Sequence, residues 1–326
     1  MLRIIVIILC MINVVMADGG SSSFVFTVTA DSHLDYNTDR DLYRRTLVTA
    51  AAEKPVFHVD LGDTFMSEKH ASREDAAKQY LEQRHYFDLL GVPVHLVSGN
   101  HDGESGRYLD GSTNNLAVWS RSMRERYFPE SNSVSNHHYY SWEHANALFV
   151  VLDPFWYTPR LRRHDTNWAM TLGFEQYQWL QHTLESSKAR FKFVFIHNLV
   201  GGLDRQGRGG VEAAPFYEWG GKNADGTEGF KQNRPGWPMP IHQLLVKNHV
   251  NIVFHGHDHL YAKQELDGIV YQEVPQPGDP RGDTRSAADY GYKNGDILGS
   301  SGYLRVNVSP DKITSEYHRT NILPTR

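Results

Sequence analysis

The sequence contains very little cysteine: Cys10 is the only one among 326 residues. It lies in an apolar N-terminal stretch, so the rest of the chain has no disulfide, no thiolate nucleophile and no cysteine-based zinc site. Any metal ion would have to be bound by His, Asp, Glu or Asn side chains. Eighteen histidines are present, a high count that points toward metal or acid–base chemistry.

An excess of positive charge is also missing. The chain has 33 Lys and Arg residues against 38 Asp and Glu residues, and its formal net charge is -5. Because no basic field would attract it, nucleic acid is not expected as a partner. A locally positive site stays open, since bound metal ions do not appear in a residue count.

Long apolar runs are scarce. The run at residues 4–12 follows Arg3 and falls short of the roughly 18 residues that a membrane span needs. Residues 1–17, which end in Ala17, are typical of a secretory signal peptide, and an uncleaved anchor is the alternative. We therefore expect a secreted or periplasmic protein whose mature chain, residues 18–326, has no transmembrane span and forms one domain.

The chain then alternates apolar runs with helix-period stretches. Apolar runs at residues 24–29, 56–60 and 92–98 predict buried strands. Stretches at residues 39–53 and 71–90 have apolar residues on one helical face and predict helices between those strands. This alternation is typical of the right-handed parallel crossovers of an α/β protein.

Similar signals continue through the second half. They predict a hairpin at residues 138–152, a helix at residues 173–188 and two further buried strands at residues 193–196 and 251–254. Near the C-terminus the apolar period is close to two, and we expect residues 261–274 and 302–318 to form a second sheet. The Gly-rich residues 199–238 carry several aromatic side chains and are interpreted either as a lid over a site or as a rigid loop packed on the sheet.

Polar side chains follow the carboxyl ends of five predicted strands. In Gly99-Asn100-His101-Asp102 a strand ends, a glycine permits a sharp turn, and an amide, an imidazole and a carboxylate follow. Ligands of open α/β sheets bind just outside such strand ends. Seven potential metal ligands share this position: Asp31, His33, Asp63, Asn100, His197, His257 and His259.

Seven N and O donors are too many for one structural zinc ion but suit two ions that share a bridging carboxylate. Only Asp31 and Asp63 among them carry charge, so two divalent ions would leave a net charge of about +2 by formal charges. That charge favours a phosphate ester and lowers the pKa of a bridging water toward neutrality. The donor types admit Mn, Fe, Zn or Co.

The motifs together resemble those of the calcineurin-like metallophosphoesterases. The resemblance lies in Asp31-x-His33, Gly62-Asp63, Gly99-Asn100-His101-Asp102, Val194-x-x-His197 and Gly256-His257-Asp258-His259. It implies an α/β fold, a four-layer αββα sandwich of two mixed sheets, with a dinuclear metal site at the C-terminal ends of the strands. It also implies hydrolysis of small-molecule phosphomonoesters or phosphodiesters by a metal-bridging hydroxide.

The resemblance assigns roles as well. One ion would be held by Asp31, His33, Asp63 and His259. The other would be held by Asp63, as the bridge, together with Asn100, His197 and His257. His101 would protonate the leaving oxygen, and Asp102 would orient the His101 imidazole.

Some features separate the chain from related groups. Met66 stands where purple acid phosphatases, a branch of the family, have a tyrosine ligand, and His33 stands where they have glycine. We therefore expect the non-purple type. The cluster at residues 257–259 also superficially resembles that of metallo-β-lactamase-type hydrolases, but its spacing is wrong and it comes too late in the chain.

A non-catalytic protein that binds metals or phosphorylated ligands on the same scaffold is the functional alternative. The pair His101–Asp102 argues against it, because a binding protein has no use for a positioned acid. The sequence leaves the oligomeric state open.

Overall fold

The computed structural model describes residues 23–35, 37–66, 73–102, 116–129, 138–158 and 166–320. The predicted signal peptide lies outside these residues. No helix in this part of the chain is both long enough and apolar enough to cross a membrane.

The described residues contain twelve strands and eight α-helices. The strands are β1 Phe24–Thr29, β2 His58–Asp60, β3 Val94–Leu96, β4 Tyr140–His144, β5 Ala147–Val151, β6 Phe191–Phe195, β7 Ile252–His255, β8 Leu260–Leu266, β9 Ile269–Glu273, β10 Asp296–Gly299, β11 Gly302–Val308 and β12 Ile313–Arg319. The helices are α1 Arg40–Ala52, α2 Arg73–Phe87, α3 Leu116–Tyr127, α4 Phe174–Ser186, α5 Tyr217–Gly220, α6 Phe230–Asn233, α7 Ile241–Lys247 and α8 Arg285–Asp289. The strand β10 and the helices α3, α5, α6 and α8 were not predicted, because they lie in stretches that the sequence analysis interprets as loops.

The strands form two mixed sheets. The first has the order β12-β11-β1-β2-β3, and the second has the order β10-β8-β9-β7-β6-β5-β4. Strand β1 pairs in parallel with β2 but antiparallel with β11. In the second sheet β6 and β7 are parallel, whereas β4 and β5 are antiparallel.

The prediction that the four C-terminal strands form a sheet of their own was wrong. Strands β8 and β9 extend the second sheet, whereas β11 and β12 extend the first. A period of two in a sequence shows that a strand has one buried face, but it does not show which strand lies beside it. Pairing between strands far apart in the chain is decided by the tertiary fold.

A layer of aromatic side chains joins the two sheets. Phe26 of β1 is fully buried, and its ring contacts rings of the opposite sheet. The centroid of the Phe26 ring lies 5.5 Å from those of Phe149 and Phe193 and 6.1 Å from that of Phe254. Most apolar side chains on the inner faces belong to this one cluster.

Helices cover the outer faces of both sheets. Leu47 of α1 and Tyr80 of α2 pack on the first sheet in a cluster with Leu96. Leu180 of α4 and Leu244 of α7 pack on the second sheet. The result is the predicted αββα sandwich of two mixed sheets.

The Gly-rich segment of residues 199–238 is mostly packed against the second sheet. Trp219 is fully buried, and its indole N–H donates to the hydroxyl of Tyr271 at 2.9 Å. Buried Glu218 pairs with Arg234 of the same segment. Since Trp219 belongs to the core and Trp237 packs against it, the structure favours the rigid interpretation over a lid for this part of the segment.

Candidate metal centre

The strand-end residues come together at one edge of the sandwich. Strands β1, β2 and β3 are mutually parallel, as are β6 and β7, so their carboxyl ends face the same way. Asp31, Asp63 and Asn100 follow the three strands of the first sheet. His197 and His257 follow the two strands of the second sheet and face the first group.

One group of donors surrounds His197. The Nε2 atom of His197 lies 3.3 Å from Oδ2 of Asp63, 3.1 Å from Oδ1 of Asn100 and 3.2 Å from Nδ1 of His257. The ligand atoms of Asp63, His197 and His257 all lie within 4.8 Å of one another. Together with Asn100, these side chains are the set that the resemblance to the family assigns to the second ion.

Hydrogen bonds to carbonyl oxygens orient both imidazoles. The Nδ1 atom of His197 lies 2.8 Å from the carbonyl oxygen of Leu61, and Nε2 of His257 lies 2.8 Å from that of Gln206. A carbonyl oxygen only accepts, so each of these nitrogens carries the proton. The opposite nitrogens face Asp63 and would bind a metal ion, which would displace any proton that they carry.

A second group of donors lies around Asp31. The Nε2 atom of His259 is 3.3 Å from Oδ1 of Asp31, and the rings of His33 and His259 have centroids 5.2 Å apart. Within the described residues, Oδ1 of Asp31 and Nδ1 of His33 are buried and make no well-formed hydrogen bond, although His259 lies beside the first and Oδ2 of Asp35 lies 3.5 Å from the second. Buried polar atoms are rarely left in this state without a ligand. The donors therefore fit the predicted cation.

Positive charge keeps both carboxylates ionised. Burial raises the pKa of Asp31, but the adjacent His259 outweighs burial and the pKa lies below its ordinary value. Burial likewise opposes ionisation of Asp63, yet His197 holds its pKa well below the usual range. Burial lowers the pKa of His197, but the negative charge of Asp63 outweighs this effect and raises the pKa of that imidazole to about 10. Two buried carboxylates that need positive charge are suited to cations.

The backbone at this edge is strained. Four of the predicted ligands have positive φ angles, namely Asp31 (55°), Asp63 (52°), His257 (82°) and His259 (58°). Residues other than glycine rarely adopt this region, and each costs about 1–3 kcal/mol. The fold therefore holds these side chains in place at the expense of local stability.

Two glycines allow the first-sheet loops to touch. A Cβ atom on Gly99 would lie 2.1 Å from the backbone nitrogen of Asp63, and one on Gly62 would lie 2.6 Å from the nitrogen of Gly99. Any larger residue at either position would push the loops apart. The glycines of these motifs are thus needed for close approach as well as for turning.

His101 lies at the edge of the donor cluster. Its side chain is 31% exposed, and its Nε2 atom is 4.0 Å from Oδ2 of Asp63. Its backbone N–H donates to Oδ1 of Asp63 at 2.7 Å. The imidazole therefore borders the centre and is also accessible from outside.

The role predicted for Asp102 has to be corrected. Its carboxylate is fully buried, and among the described residues no hydrogen bond or ion pair joins it to the His101 ring. Both of its oxygens accept backbone N–H groups, at 2.7–3.1 Å, from Gly99, Asp63, Thr64 and Phe65. Asp102 therefore fixes the loop that carries Asp63, a contact between distant segments that the four-residue motif does not show.

The sequence also missed Asp60, which lies beneath the centre. Its carboxylate accepts hydrogen bonds from the hydroxyls of Thr29 at 2.9 Å and Thr64 at 2.6 Å, and from that of Ser32. Burial raises the pKa of Asp60 to about 7. It ties together the loops after β1 and β2, and no sequence motif marks it.

A cavity of about 820 Å³ opens over the centre. Its wall includes Asp63, Asn100, His101 and His257 from the predicted site. Arg205 and Arg208, in the Gly-rich segment of residues 199–238, also line it. The cavity is large enough for a small molecule.

A model of the calcineurin-like phosphoesterase family matches residues 24–261 of the chain. No curated protein matches the sequence. Among solved structures, a purple acid phosphatase from yellow lupin (Lupinus luteus) is similar, with a TM-score of 0.60 and 16% identity. The match covers 93% of this chain and 52% of the lupin chain, so this chain spans about half of that protein.

Two further structures have the same fold. A dimetal phosphatase from Danio rerio has a TM-score of 0.55 and 17% identity, over 90% of this chain and 95% of its own. GAP50, the anchor in the inner membrane complex of Plasmodium, has a TM-score of 0.56 and 12% identity, over 92% of this chain and 85% of its own. At these identities the similarity shows the fold, and the roles of individual residues have to be argued from the site.

Replacing Asp102 with Asn should destabilise the centre. An amide has one accepting oxygen in place of two, so backbone N–H groups of the Asp63 loop would be buried without a partner, at about 1–3 kcal/mol each. We expect a lower denaturation midpoint and loss of metal, as measured by chemical unfolding and elemental analysis. The control is Asp225→Asn in an exposed turn. Normal stability and metal content, with activity lost only on poor leaving groups, would instead restore the role of orienting His101.

Proposed function

The chain belongs to the calcineurin-like phosphoesterase family, and we propose that it is a dinuclear-metal hydrolase of small phosphomonoesters or phosphodiesters. Metal-dependent phosphoester hydrolysis is the chemistry of the family. One observation chiefly supports the finer proposal. Donors from both sheets converge in two adjoining groups, and these groups lie beside an open cavity.

The proposed ligand sets follow the two groups. The first ion would be bound by Asp31, His33, Asp63 and His259, and the second by Asp63, Asn100, His197 and His257. Asp63 is the natural bridge, because it contacts His197 and its charge also acts on Asp31. When bound, divalent ions such as Mn, Fe, Zn or Co would supply positive charge to the phosphoryl group and generate a hydrolytic nucleophile at neutral pH.

We propose His101 as the general acid. Its imidazole borders both the cavity and Asp63, so it is near a bound phosphoryl group and can donate a proton to the oxygen that leaves phosphorus. Asp102 supports this step only indirectly, because its carboxylate joins the loop that carries Asp63 to the loop that carries His101.

A binding protein without catalysis is the second candidate. The fold accommodates other uses, since the structurally similar GAP50 is described as an anchor. The accessible His101 beside the cavity favours hydrolysis, because a protein that only sequesters a ligand does not need a positioned acid. Turnover of phosphate esters separates the two candidates.

The central experiment compares the wild-type protein with Asp63→Asn after metal reconstitution. The variant loses one of the two charged ligands and the bridge, so we expect it to bind fewer than two ions. Its hydrolysis of nitrophenyl mono- and diesters should fall by more than 10²-fold, or about 2.7 kcal/mol. Elemental analysis and initial rates measure the two effects.

Asp153→Asn is the matched control, since Asp153 is a buried carboxylate at the end of β5 that lies outside both donor groups. It should keep both ions. Two ions per chain in Asp63→Asn, with activity within tenfold of wild type, would contradict the dinuclear site. A wild-type protein that binds metal but turns over no ester would favour the binding candidate.

Replacing His101 with Ala tests the general acid. Such catalysis is worth roughly 10²–10⁴ in rate when the leaving group needs a proton. We expect a loss of this size on alkyl phosphates and a much smaller loss on nitrophenyl phosphates, whose leaving group is stable as an anion. Metal content should not change. Equal losses on both substrates would assign His101 to structure or to phosphate binding, and exposed His182→Ala controls for loss of a histidine.

We also propose that the protein is exported, on the basis of its N-terminal sequence. The apolar run and Ala17 predict cleavage before Asp18. Expression in a secreting host and N-terminal sequencing of the product should identify a chain that begins at Asp18. The variant Ala17→Arg should block this processing. A wild-type product in the membrane fraction with its N-terminus intact would show an uncleaved anchor instead.

A further inference from the structure

We propose that the natural substrate carries a second anionic group, a phosphate or a carboxylate, that binds to Arg208 and Arg205 at the wall of the cavity. The inference rests on the proposed function, since it concerns the part of the substrate that the metal centre does not hold. Both arginines belong to a short turn, residues 204–208, which we call the arginine turn.

The arginine turn is rigidly built. The N–H of Leu203 donates to the carbonyl of Arg208 at 2.8 Å, and the N–H of Gly207 donates to that of Asp204 at 3.1 Å. The side chain of Asn167 donates to the Asp204 carbonyl at 2.7 Å. Because its backbone is held on both sides, the turn can present charged side chains without a large entropic cost on binding.

The turn is also attached to the metal centre. The carbonyl of Gln206 accepts a hydrogen bond from His257, and the N–H of Gly209 donates to Asp258 at 2.9 Å. One of these partners is a proposed metal ligand, and the other lies between two ligands in the chain. The position of the arginine turn relative to a phosphate at the centre is therefore set by the fold.

Arg208 has capacity for an anion. Its guanidinium lies 4.2 Å from the centroid of the Tyr290 ring, which fixes its plane. Its Nη1 atom forms an ion pair with Oδ2 of Asp204 at 3.8 Å, a distance too long for a hydrogen bond. In the part of the chain that the structure describes, its Nε atom is buried and has no hydrogen-bond partner. An anion in the cavity would supply that partner, as guanidinium groups bind phosphate and carboxylate in pairs of hydrogen bonds.

Arg281, the third arginine of the cavity wall, already has a carboxylate partner. The Nε and Nη2 atoms of Arg281 lie 3.0 and 3.2 Å from the two carboxylate oxygens of Asp279. That guanidinium is paired with Asp279, whereas the Nε atom of Arg208 has no hydrogen-bond partner among the described residues. Arg208 therefore has a donor left for a substrate, and Arg205 lines the cavity from the same turn.

The test measures kcat/KM for three aryl phosphates that differ only at the para position. Phenyl phosphate has a neutral tail, 4-carboxyphenyl phosphate has a carboxylate, and benzene-1,4-diyl bisphosphate has a second phosphate. Each variant is compared with wild type on the same substrate, so differences between the leaving groups cancel. The two anionic substrates distinguish a phosphate subsite from a carboxylate subsite.

We expect Arg208→Gln to lower kcat/KM for at least one anionic substrate about tenfold to a hundredfold more than for phenyl phosphate, the usual effect of losing a charged hydrogen bond. Arg208→Lys should give an intermediate loss, since it keeps the charge but not the planar fork. Arg205→Gln should show the same selectivity. Arg281→Gln, the control within the cavity, should change the three substrates equally.

Losses that are equal across the three substrates would overturn the inference and place Arg208 at the reacting phosphate instead. A selective loss in Arg281→Gln as large as in Arg208→Gln would also overturn it. Such a result would indicate that any positive charge in the cavity wall attracts anionic substrates, without a specific site at Arg208. If Arg208→Gln does not fold, Arg208→Lys and Arg205→Gln decide. If the wild type turns over none of the esters, the proposed function fails separately, and calorimetric binding of the bisphosphate and phenyl phosphate to the metal-loaded variants tests the subsite alone.

Discussion

The interaction on which this site depends is the contact between the buried Asp102 carboxylate and the backbone of the Asp63 loop. Four N–H groups from two separate segments converge on this one side chain. A buried carboxylate needs such donors, and the loops need an acceptor that no neighbouring strand provides. Because the contact holds Gly99 against Gly62, it also sets where Asp63, the proposed bridge, stands relative to the second sheet.

The rest of the site is stable only as part of the whole fold. Four proposed ligands adopt positive φ angles, and one polar atom each of Asp31 and His33 is buried without a hydrogen bond in the described residues. These features reduce the stability of the metal-free protein, and the aromatic layer between the sheets offsets them through buried apolar area. Bound cations would offset part of this loss of stability, since a ligand that binds only the folded state stabilises it.

Chemistry and selectivity are carried by different parts of the chain. The donors stand at strand ends, where parallel strands of two sheets fix them rigidly, whereas the arginine turn belongs to a connecting segment. Loops tolerate sequence changes more readily than strands do, so proteins that share a fold differ in substrate mainly through their loops. The solved structures with this fold, at 12–17% identity, share its architecture. The hydrogen bond between His257 and Gln206 is the point at which the two parts meet.

The sequence by itself determined the donor types, their position after strands and the α/β class, because these follow from local apolar periods and from residues next to them in the chain. The αββα sandwich was implied by the resemblance of the motifs to those of the family. Only the tertiary structure decided which sheet the last strands join, that Asp102 binds backbone and not His101, and that Trp219 is core. It also brought Arg208 to the cavity. Each of these depends on contacts between residues far apart in the chain, and a local pattern is the same whichever distant partner a side chain finds.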